Sequence, residues 1–61
     1  MTRKDYELIA AAVSEARADM ADHPGRLAGA AQTARRLASA LRTTNPRFDR
    51  DRFLAACGVD S

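Results

Sequence analysis

Apolar residues fall into three periodic stretches along the chain. In the first, Tyr6, Ile9, Val13, Ala16 and Met20 recur at spacings of three and four, which places them along one face of an α-helix. Ala10 and Arg17 flank this stripe. Leu8 lies off it, on the same face as Ala12 and Glu15, so it either meets the third helix of the chain or stays in solvent. Thr2 suits the N-cap, and Asp5 three residues on makes a variant of the capping box. Asp19 and Asp22 carry the wrong sign for a helix C-terminus, so a helix over about residues 3–21 should fray near its end.

Asp22-His23-Pro24-Gly25 is the first punctuation. Pro24 fits the first position of a new helix, capped by Asp22 or His23. The second stripe, Leu27, Ala30, Ala31, Ala34, Leu37, Ala38 and Leu41, predicts a helix over about 24–43. Its alanines allow close approach of a facing helix. A short turn between two such helices implies an antiparallel hairpin.

Asn45-Pro46 ends the second helix, because the Pro46 ring disfavours the α region for Asn45. Asp49 then stands at an N-cap, with Phe48 before it and Phe53 placed to complete a hydrophobic staple. Gly58 suits a left-handed close, with Val59 positioned against Leu54 as in a Schellman motif. A short third helix over about 50–57 follows, read as a lid on the hairpin. The expected fold is all-α, a single small domain with Tyr6, Ile9, Val13, Leu37, Leu41, Phe48, Phe53 and Leu54 in its core. The last two residues read as a tail without structure.

With 61 residues the core is small and its stability marginal, which favours a stabilising partner or a second copy. The single cysteine, Cys57, excludes an intrachain disulfide framework and fits a reducing, cytoplasmic setting. No apolar run approaches a membrane span, and Asp5 and Glu7 interrupt any signal-peptide pattern. Charge is unevenly distributed. Residues 1–22 hold three basic and five acidic side chains, net −2; residues 23–48 hold five arginines and no acid, net +5.

No catalytic constellation, cofactor motif or metal-ligand spacing is legible, and the lone His23 reads as a turn residue. The candidate binding residues are Arg35, Arg36, Ser39 and Arg42 on the outer face of the second helix, together with the off-stripe Leu8. Arginines in such a row suit either acidic side chains of a protein or phosphates. A solvated face balanced by the acidic first helix is the plain alternative. Gly25-Arg26-Leu27-Ala28-Gly29 is a poor match to the start of a DNA-recognition helix.

Thr2-Arg3-Lys4-Asp5-Tyr6-Glu7-Leu8-Ile9-Ala10, with Asn45-Pro46-Arg47-Phe48-Asp49 and Arg52-Phe53-Leu54, resembles short proteins of bacteriophages and mobile elements that have no assigned function. The resemblance covers about a third of the chain and leaves its middle unmatched. It implies a phage or prophage setting and brings no catalytic residues. The expected function is therefore non-enzymatic: an α-helical protein–protein interaction module, self-associating or docking on another protein. The alternative is a nucleic-acid-binding module using the basic face of the second helix.

Overall fold

The computed structural model describes residues 1–59. Three helices follow in order: α1 (Arg3–Asp19), α2 (Pro24–Thr44) and α3 (Arg50–Cys57). No strand forms among the described residues. The fold is all-α, an antiparallel hairpin of α1 and α2 closed by α3, with extents of 35 × 18 × 14 Å. The expectation of an unstructured tail at Asp60 and Ser61 lies outside the described residues.

The helix ends obey the local chemistry. Thr2 and Asp5 form a full capping box: the Asp5 N–H donates to the Thr2 hydroxyl, and the Asp5 carboxylate accepts from the Thr2 N–H at 2.8 Å. That backbone hydrogen bond, helped by the Thr2 hydroxyl, holds the Asp5 carboxyl below the usual carboxylate range. α1 stops at Asp19, two residues short of the expected end, as two acids near a negative helix terminus would cause. His23 occupies the N-cap of α2 but its side chain makes no capping bond, and Pro24 begins the helix. Asn45, extended at φ −145° and ψ 104°, ends α2 at Thr44.

α3 is the most completely specified element. Asp49 accepts from the Arg52 N–H at 3.0 Å. Phe48 and Phe53 pack at 5.4 Å between centroids, closing the staple, and Tyr6 from α1 meets Phe48 edge-on at 4.8 Å. All three aromatic side chains of the chain thus form one cluster. At the far end Gly58 is left-handed (φ 80°). Its N–H donates to Ala55, and the Val59 N–H donates to Leu54 at 2.9 Å, which completes the Schellman close.

The core differs from the expected one in what lies at its centre. The fully buried residues are Ala10, Ala34, Ala38, Leu54 and Cys57, with Phe48, Phe53 and Val59 close behind. Tyr6, Ile9, Val13, Leu37 and Leu41 are only half-buried around them. α1 also meets α3 more extensively than it meets α2. α3 therefore closes the hairpin and also supplies the large side chains of its core. The alanine stripe leaves room for them. On α1 the buried face is centred on Ala10 rather than on the aliphatic stripe beside it.

Arg17 is the residue whose place the pattern did not foretell. It reaches from α1 to the end of α3, where its Nη1 donates to the Gly58 carbonyl. A guanidinium there satisfies a terminal carbonyl and opposes the negative end of the helix dipole. Its Nε is buried and has no hydrogen-bond partner among the described residues. Burial pushes the Cys57 thiol up, and the nearby Arg17 charge offsets part of that rise.

Candidate interaction surfaces

The candidate binding residues occupy two separate surfaces. Arg35, Arg36, Ser39 and Arg42 are all exposed on α2, joined by Gln32. Their spacing follows from α-helical geometry: Arg35 and Arg42 are two turns apart, about 10 Å along the axis. Leu8 is on α1 and is 72% exposed. Of the two alternatives for Leu8, solvent exposure is the one realised. The structure does not bring Leu8 and the α2 arginines into one patch.

The α2 face carries its charge on a regular helix, without any carboxylate from its own segment. Its remaining hydroxyl donors lie elsewhere on the helix and are turned back on the backbone: Thr33 donates to the Gly29 carbonyl at 2.9 Å and Thr44 to the Leu41 carbonyl at 2.8 Å. The face is convex, suited to lying along a partner rather than enclosing a small molecule.

A concave feature lies where the start of α1 meets the α2–α3 connection. It is an open cleft of about 500 Å³, floored by Tyr6, Phe53 and Ala10 and rimmed by Arg3, Arg47 and Arg52. Its carboxylates are engaged locally: Glu7 pairs with Arg3 at 3.3 Å, and Asp49 caps α3. Asn45 shapes the inner wall, accepting from the Arg47 N–H at 3.0 Å and donating to the Tyr6 hydroxyl at 3.4 Å. Nothing in the linear pattern marks this cleft, because its two walls are some forty residues apart. The Asn45-Pro46-Arg47 bend is its one local trace.

Among the described residues no group of three His, Cys, Asp or Glu side chains is gathered as a metal site would require. His23 is exposed in the turn before α2. No helix among the described residues is long and apolar enough to cross a membrane. Compared with family models, curated proteins and solved structures, the chain has no significant match. The likeness of its two ends to phage proteins rests on the quoted residues alone.

Proposed function

We propose that the protein is a small non-enzymatic interaction module that docks the acidic surface of a protein partner onto the arginine face of α2. The observation that carries this reading is the exposed row Arg35, Arg36, Ser39 and Arg42, in a segment from His23 to Phe48 that contains five arginines and no acid. Guanidinium groups in a row engage carboxylates bidentately, which gives register as well as attraction. A convex helix reads an extended acidic strip on a partner. A reducing compartment such as the cytoplasm suits the free Cys57, and an accessory role in a phage or mobile element is the setting we favour.

The test compares wild type with Arg35→Glu/Arg42→Glu in affinity capture from lysate, followed by titration of the captured protein in purified form. The expected result is one acidic protein bound directly by wild type and at least tenfold more weakly by the double variant, with unchanged helical content. Duplex DNA run in parallel separates the nucleic-acid alternative. Binding there would weaken with salt at a log–log slope near −0.9 per phosphate neutralised. If DNA binds in that manner and no protein does, or if charge reversal leaves protein binding intact, the docking reading is wrong.

A further inference from the structure

The two long helices bury Ala10, Ala31, Ala34 and Ala38 and leave their larger aliphatic side chains half in water. Ile9, Val13 and Met20 on α1, and Leu27, Leu37 and Leu41 on α2, are all only partly buried. The chain exposes 4409 Å², whereas a compact monomer of its mass exposes about 3,900 Å².

Ile9, Met20, Leu37 and Leu41 share one side of the hairpin, whereas Leu27 lies in register with the buried Ala34 and Ala38. On a helix each residue advances by about 100°. On α1, Tyr6, Ala10 and Arg17 mark the edge turned to α3, since Tyr6 meets Phe48 and Arg17 meets Gly58. Ile9, Ala16 and Met20 mark the opposite edge. Viewed along α1, residues advance in opposite senses on the two antiparallel helices. The edge of α2 carrying Ala30, Leu37 and Leu41 therefore falls on the same side, away from α3. Beyond these edges lie exposed Leu8, Ala12 and Asp19 on α1, and exposed Arg26, Thr33 and Ala40 on α2. Thr33 ties its hydroxyl to Gly29, so it need not carry an unpaired donor into an interface. The arginine row at Arg35 and Arg42 lies on the other flank of α2.

We infer that this face is covered by a second copy of the chain, in a two-fold dimer whose axis runs along the helices. Its charge selects that occupant and that axis. The α1 rim is acidic and the α2 rim basic, so stacking α1 on α2 of the partner sets opposite charges together. The alternative two-fold would stack α1 on α1 and oppose like charges. Along the chosen axis heights are preserved, and the antiparallel hairpin puts Asp19 level with Arg26 and Leu8 level with Leu37. Asp19 then meets the partner's Arg26, and Leu8 enters the gap between the partner's Thr33, Leu37 and Ala40. The small side chains Ala12, Ala16, Gly29 and Ala40 let the helix pairs approach closely. The result is a four-helix bundle with α3 of each copy on the outside.

Sedimentation equilibrium from low micromolar to millimolar concentration, with melting followed over the same range, tests this. Wild type should be a dimer at the upper end with a concentration-dependent Tm. Leu8→Glu, at a site with no folding role, should keep its helical content and weaken the dimer at least tenfold. Asp19→Arg and Arg26→Asp should each weaken it, and the double swap should restore it. A monomer throughout the range overturns the inference. So does a dimer indifferent to Leu8→Glu, or one that the double swap fails to rescue.

Discussion

The two sides of this small molecule are built on different principles. Around α3, every local device is present and the side chains are large: a cap, a staple, a Schellman close and three aromatic rings in contact. Along the rest of the hairpin, α1 and α2 meet through small residues, and their aliphatic side chains stay half-exposed. The difference shows where folding stability resides. The eight residues of α3, with the connection before them, supply the buried volume that two much longer helices do not. Hairpin length gives this protein surface, and α3 gives it a core.

The sharpest way to break the comparison is to empty the α3 side. Phe53 is 4% exposed and touches Phe48, so Phe53→Ala removes a core ring and the staple together, at a cost of about 3–5 kcal/mol. A domain of this size has about 3–9 kcal/mol in total. The variant should be largely unfolded by circular dichroism at room temperature. A wild-type Tm for Phe53→Ala would mean that the aromatic cluster is not the centre of the core.

Gly58→Ala is the next largest. A left-handed conformation costs a non-glycine residue about 1–2 kcal/mol, and a Cβ at Gly58 would stand 3.0 Å from Arg17 Nη1. The two causes separate in a double-mutant cycle with Arg17→Ala. A backbone cost alone would be the same in both backgrounds. A contribution from the crowded guanidinium would shrink the cost once Arg17 is gone. Equal stability of Gly58→Ala and wild type would remove the Schellman close from the account.

Asp49→Ala should be milder, about 0.5–2 kcal/mol, since it deletes one capping bond to the Arg52 N–H and no buried volume. Thermal melts of the three variants should therefore rank Phe53→Ala, then Gly58→Ala, then Asp49→Ala. If Asp49→Ala collapses while Phe53→Ala survives, the α3 side is held by its cap rather than by its rings.

The legible part of the fold was whatever short-range chemistry writes into adjacent residues. Thr2-Asp5, Asn45-Pro46, Phe48-Asp49-Phe53 and Gly58-Val59 each specify a local geometry, and each helix end falls within two residues of its expected place. The buried face at Ala10 leaves little trace in the sequence, because side-chain size singles out Ile9 and Val13 whereas position against α3 decides burial. Arg17 was hidden for the same reason: its partner is the carbonyl of Gly58, forty-one residues away. The arginine face of α2 was visible, since exposure of a charged stripe follows from periodicity alone. The cleft beside Tyr6 was not, because only tertiary packing creates it.

The smallest expected effect lies at the start of α1. Asp5 is exposed, and the hydrogen bonds it accepts from Thr2 hold its pKa below the ordinary carboxylate range. A group whose pKa is lowered on folding stabilises the fold in its charged form. Its contribution is complete above its unfolded pKa and is lost as pH falls through the folded one. Thr2 loses a charged acceptor in Asp5→Asn, so the variant should melt slightly below wild type near neutral pH. That gap should close on acidification, as the wild-type carboxylate itself becomes neutral. Paired melting curves from neutral to strongly acidic pH measure it directly. Near-neutral pH should leave the gap unchanged, because Asp5 stays ionised throughout that range. A gap that persists after the carboxyl is protonated would trace the capping effect to side-chain shape rather than charge, and a gap that widens on acidification would reverse the sign assigned to Asp5.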